Sequence, residues 1–206
     1  MRRIIGATTI LLALSLLSGF VHAAPLKTVF SGPENGEIGV VVEPGAPDIA
    51  AKDGLLWISM EDCVTFASPG DPGLPCRDYR VALPPDADPR SVSVRLDDIE
   101  VETLPVEGRV APVPPYGYWD GAKTVLSWGD DGKTIVDGCN TKVYDRDAAY
   151  PDAHLEPLPA VEMRQWKIAP FRFFPIRYNP VARTLERVKR ARITVSYSTA
   201  PAAKGL

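Results

Sequence analysis

Cys63, Cys76, Cys139 and His154 are the side chains with which this sequence could make or break covalent bonds. A cysteine nucleophile needs a thiolate and a base within hydrogen-bond reach, normally a histidine. Cys139 with His154 would be that pairing for hydrolysis. In an oxidising compartment the same thiols would instead form disulfides. Three thiols allow one bridge and one leftover. Cys63–Cys76 would close a short loop across SPGDPGLP, and Cys63–Cys139 is the alternative. Zinc needs three or four Cys or His ligands, and the chain has too few at suitable spacing. Calcium takes oxygen ligands from loops, and Asp130, Asp131, Asp137, Asp145, Asp147 and Asp152 lie in loop-like stretches. Their spacing does not match a helix–loop–helix calcium loop. Aspartate also starts turns by bonding its own backbone, so calcium is the one cofactor left open. Trp57, Trp119, Trp128 and Trp166 could form a sugar platform, but their expected place is core or inter-sheet packing. The expectation is a domain with no catalytic residues and no metal set.

The elements that must position these residues begin after a leader. Arg2 and Arg3 precede an apolar run over residues 4–17, and Val21-His22-Ala23 supplies small residues where a signal peptidase reads. The run is shorter than the roughly 20 residues of a spanning helix, and Ala24 rather than a lipid-accepting cysteine follows the cleavage point. Residues 1–23 therefore read as a signal peptide, 24–198 as one exported domain and 199–206 as a linker or frayed C-terminus. The expected location is secreted, periplasmic or cell-surface, with no membrane span after signal cleavage. A net charge of −3 argues against a nucleic-acid partner.

Proline, at 21 of 206 residues, is about twice its usual ~5% share and does not fit helix interiors. No long segment shows helical periodicity. KTVF, EIGVVVEP and GLLWISM are short strand candidates, the last following an Asp53-Gly54 turn. Tyr79, Val81 and Leu83 alternate with polar or small residues, as do Val92, Val94 and Leu96. Asp97-Asp98 breaks that phase before Ile99 and Val101 resume it, which predicts a bulge. Residues 105–159 read as long loops carrying one or two strands, with KTVLSW among them and VAPVPPYGYWDG extended. GDDGK and DGCN are turn signatures. The last third reads as consecutive strands with Phe171, Phe173, Ile176 and Tyr178 on apolar faces and a turn at Tyr178-Asn179-Pro180. Ile193, Val195 and Tyr197 alternate in the final strand. The basic run ERVKRAR reads as a solvated strand face with a charged edge, or as a processing site for a trypsin-like peptidase. This pattern suits a sandwich or barrel.

Two stretches resemble the propeptide that precedes gingipain-type cysteine peptidases. The first is GDPGLPCRDYRVALPPDADPRSVSV, in which a Gly-x-Pro-x-Leu-Pro turn feeds a strand ending in Leu-Pro. The second is YPDAHLEPLPAVEMRQWKIAPFRFFPIRYNPVARTLERVKRARITVSY, with the RYNP turn (Arg177, Tyr178, Asn179, Pro180) as its most specific element. The resemblance implies an all-β fold, an antiparallel β-sandwich of jelly-roll-like type with long Pro/Gly-rich loops. It also implies a non-catalytic role: assisting the folding of a cysteine peptidase catalytic domain, in cis or in trans, and holding it latent. A longer parent chain would be a cysteine endopeptidase. In arginine-specific members a basic loop side chain enters the specificity pocket. Lys142 and Arg146, in NTKVYDRDAAYP, are the candidates for that contact here. The alternative reading is a stand-alone cell-surface β-sandwich for adhesion or carbohydrate binding.

Overall fold

The structure, a computed structural model, describes residues 26–129 and 132–199. The expected signal peptide, Asp130 and Asp131 of the calcium candidates, and residues 200–206 lie outside the described residues.

The chain opens with β1 (Lys27–Phe30), β2 (Glu37–Glu43), β3 (Asp48–Lys52), β4 (Leu55–Ser59), β5 (Val64–Thr65) and β6 (Pro75–Leu83). A 3-10 turn at Pro89–Ser91 leads into β7 (Ser93–Pro105). Short strands follow: β8 (Arg109–Val110), β9 (Tyr116–Trp119), β10 (Thr124–Ser127), β11 (Ile135–Val136) and β12 (Cys139–Asn140), then one helical turn, α1 (Thr141–Tyr144). The last third holds β13 (Leu155–Pro157), β14 (Val161–Met163), β15 (Trp166–Phe173), β16 (Ile176–Asn179) and β17 (Thr184–Ser196).

Two five-stranded sheets carry the sandwich. In the first, β17 is central: β7 pairs along its whole length on one side, while β16 and β2 pair successive parts of it, and β1 extends from β2. The second runs β13-β15-β6-β5, with β14 also on β15. Alternation explains which faces meet. Ile38, Val40 and Val42 of β2 face Tyr79, Val81 and Leu83 of β6 and Ala169, Phe171 and Phe173 of β15 in one buried cluster, which Val188, Ala191, Ile193 and Val195 of β17 complete. Each such fully buried aliphatic or aromatic side chain contributes about 1.5–3 kcal/mol. Tyr79 stacks on Phe171 with ring centroids 5.0 Å apart.

The expected phase break is a bulge. Arg192 pairs Asp98 while Ile193 pairs Leu96, so Asp97 is the extra residue. Its carboxylate leaves the ladder and accepts from the Thr194 hydroxyl and from Arg95 Nε at 2.7 Å. A second shift, at Lys189, moves the inward phase of β17 from Val188 to Ala191.

Residues 105–159 contain more strands than the sequence suggested. The region folds around a second buried cluster of Ile58, Met60, Leu74, Val110, Cys139, Tyr144, Ile176, Tyr178 and Leu185. Its strands are only two to four residues long, too short to show an alternating period. One of its pairings, β4 with β8, is parallel. Three hairpins close on Asn35-Gly36, Asp53-Gly54 and Asp137-Gly138, with positive φ at both residues of each pair. That is the type I′ geometry whose twist matches the flanking strands.

The basic run is not at an edge. Glu186–Arg192 lie in the central strand β17. The charges stand on the ladder beside opposite charges: Glu186 with Arg177, Arg187 and Lys189 with Glu102, and Arg190 with Glu43. β7 pairs with the residues on both sides of Lys189, a placement unsuited to peptidase access.

Candidate functional site

Chemistry by cysteine and histidine is not assembled. Cys139 is buried in the second cluster beside Tyr144, its sulfur accepting from Arg109 Nη1 at 3.6 Å. His154 is buried elsewhere: Nδ1 pairs with the Phe174 carbonyl oxygen at 2.8 Å, and Nε2 lies 3.7 Å from Glu186. Burial lowers the His154 pKa, against the hydrogen bond to Phe174 and the Glu186 charge, so the ring is neutral near pH 7.

All three thiols are free. Val64 pairs Cys76 across β5 and β6, so Cys63 lies one residue beyond that pair. Cys63 packs against the core, whereas Cys76 senses Arg172 most among the charges around it. Burial pushes both thiols up to about 11, which makes them poor nucleophiles. Among the described residues no group of three or more His, Cys, Asp or Glu side chains converges on a metal-sized site.

The RYNP turn is structural throughout. Arg177 Nε donates to the Pro151 carbonyl at 2.8 Å, Nη2 to the Asp152 carbonyl at 2.9 Å, and Nη1 to Glu186 at 3.0 Å. Tyr178 is buried, and its backbone bridges Tyr150 in both directions at 2.7 and 2.8 Å. Asn179 accepts from the Val181 and Ala182 amides at 3.1 and 3.0 Å and donates to Asp147 at 2.9 Å. Pro180 then starts the turn into β17. The start of the second stretch, Tyr150-Pro151, is therefore bonded to its RYNP turn.

The first stretch is equally structural. Buried Asp71 accepts from the Asn140 side-chain amide at 2.7 Å and from the Tyr150 hydroxyl at 3.3 Å. Gly70 has φ +86°, and a Cβ there would stand 2.6 Å from Ile135 Cδ1. Its N–H donates to Val113 and its carbonyl accepts from Asn140. The GDPGLP turn thus fastens the short-stranded region to the sandwich.

Lys142 lies in α1, and Arg146 follows it, paired with Asp152. A different element projects an unpaired surface. β9 and β10 form a two-stranded sheet of their own, with Tyr118 opposite Val125 and Trp119 opposite Thr124. Tyr116, Tyr118, Trp119 and Leu126 are all more than half exposed, the last two at 66%. At the tip the Asp120 carboxylate accepts from the Ala122 and Lys123 amides at 2.9 and 2.8 Å, and these bonds hold its pKa low. Gly121 there has φ +101°, a conformation glycine adopts without strain. A lone two-stranded hairpin is marginal in water. One that exposes three aromatic rings has the composition of an interface hot spot.

Sequence reasoning missed this hairpin because Pro-rich flanks made it read as extended loop. The alternation of Tyr116 and Tyr118 about Gly117 was the available signal. The tryptophans also differ from expectation: Trp57, Trp119 and Trp166 are half or more exposed, each on a different sheet, so they neither fill the core nor share a platform.

A family model described as Propeptide_C25 matches residues 41–205. Among solved structures, the chain is similar to the complex of Porphyromonas gingivalis RgpB pro- and mature domains, at 14% identity, with 83% of each chain covered and a TM-score of 0.64. It is also similar to a structure of gingipain K from Porphyromonas gingivalis concerned with zymogenic latency, at 19% identity, covering 86% of this chain and 96% of that one, with a TM-score of 0.61. A search of the curated proteins found no match.

Proposed function

The chain belongs to the Propeptide_C25 family, and on that premise we propose that it is an exported, non-catalytic pro-domain that holds a gingipain-type cysteine peptidase latent by covering its active-site cleft. The observation that carries this reading is the family match across residues 41–205, which takes in the whole of the second five-stranded sheet and β7, β16 and β17 of the first. The free, burial-raised thiols and the separate, neutral His154 support a role without catalysis.

Latency of this kind needs a rigid body and a projecting element. The sandwich, braced by the thirteen-residue strand β17, is the rigid body. The β9–β10 hairpin is the projecting element, and its aromatic rings would bury on the peptidase at low entropic cost. We assign the main peptidase contact to this hairpin; Arg146 is engaged with Asp152, and Lys142, exposed in α1, stays a candidate beside it. An adhesion or carbohydrate-binding role is not favoured by the family match. The test is steady-state cleavage of a peptide substrate by a gingipain-type peptidase from the same source, with increasing amounts of this chain. Inhibition saturating near one-to-one supports the reading; full activity at micromolar chain overturns it.

A further inference from the structure

The RYNP turn also borders a cleft. Tyr178 and Pro180, with Gly108, Arg109, Tyr144 and Arg183, line a cleft of about 250 Å³. Tyr144 and Tyr178 are buried side chains, whereas Arg109 and Arg183 are exposed. The Arg109 guanidinium lies over the Tyr144 ring, 5.7 Å from its centroid, and donates to the Cys139 sulfur, a weak acceptor. Arg183 follows the turn in a left-handed conformation, φ +52°, and its carbonyl accepts from the Val106 amide at 3.0 Å. The segment that carries Arg183 is thereby tied to the one that leads to Arg109. Tyr178 Oη donates a long bond, 3.5 Å, to the Gly108 carbonyl.

Two arginines without a carboxylate partner line this one cleft. Arg77, Arg95, Arg146, Arg172, Arg177 and Arg187 each face a carboxylate. Arg109 and Arg183 form no ion pair among the described residues. A guanidinium fork held over an aromatic ring is arranged for a planar, two-oxygen acceptor.

We infer that the cleft between Arg109 and Arg183 is a carboxylate-binding site, filled by a small free carboxylate or by an acidic side chain of a protein partner. The second source rests on the peptidase reading above; the first does not.

The test is an NMR titration of the full chain, following the arginine Nε–H signals with sodium acetate, against sodium chloride at matched ionic strength. Saturable shifts at Arg109 and Arg183 with acetate alone are expected. Arg109→Gln and Arg183→Gln should each weaken acetate binding at least tenfold while the backbone amide spectrum keeps its folded dispersion. Shifts that rise linearly and equally with both salts would overturn the site. This readout needs no peptidase, so it stands or falls apart from the latency reading. The source is then read from inhibition: loss of about tenfold in potency in the double variant identifies a partner side chain, and unchanged potency identifies a free carboxylate.

Discussion

Asp71 shows what a motif residue does here. It is buried in a loop, and the Asn140 amide and the Tyr150 hydroxyl both end on its carboxylate. Removing an acceptor strands buried donors, at about 1–3 kcal/mol. Asp71→Ala should therefore lower the unfolding free energy by roughly that amount in a denaturant titration, with Asp71→Asn intermediate. His154 predicts a pH effect. Burial depresses its folded pKa below the unfolded value, so the unfolded chain takes up a proton first as pH falls. The stability linked to this ring is present above the unfolded pKa, near 6.5, and is lost as pH drops through the folded one. His154→Gln should flatten the fall in melting temperature between about pH 7 and pH 5; an unchanged slope would show that other groups carry it.

At the scale of elements, the long strands were legible and the short ones were not. Tyr79, Val81 and Leu83, and Ile193 with Val195, alternate over enough residues to reveal a half-buried strand, and Asp97 announced its bulge by breaking the count. Strands β8, β11 and β12 have two residues each, so no period exists to read; Tyr144 bonds β8, Asp71 bonds β12, and β11 pairs with β12. The same limit applies to the site. The RYNP turn was found as a pattern, but its exposed counterpart, the β9–β10 hairpin, has surface aromatics that sequence rules assign to a core. Ladder position also decides what a basic run means. In limited digestion with trypsin, the native chain should be nicked at Lys123 on the hairpin tip well before any bond within Arg187–Arg192, which the central strand holds. Early cleavage inside that run would contradict its place in the sheet.

For the whole molecule, latency asks for two separable properties: a stable scaffold and a contact surface that contributes little to that stability. In the proposed reading the sandwich core supplies the first and the hairpin the second. Alanine at both Tyr118 and Trp119 should change stability by no more than about 0.5 kcal/mol per residue, since both side chains are exposed. The same double variant should weaken peptidase inhibition by about tenfold or more, as loss of central aromatic contacts does. The most direct test of the central claim is protection of the peptidase's catalytic thiol. A gingipain-type peptidase is treated with an active-site-directed alkylating agent, alone and with this chain at one-to-one. The account predicts that alkylation slows at least tenfold with the native chain and recovers with the Tyr118 and Trp119 double variant. An alkylation rate unchanged by the native chain would contradict it.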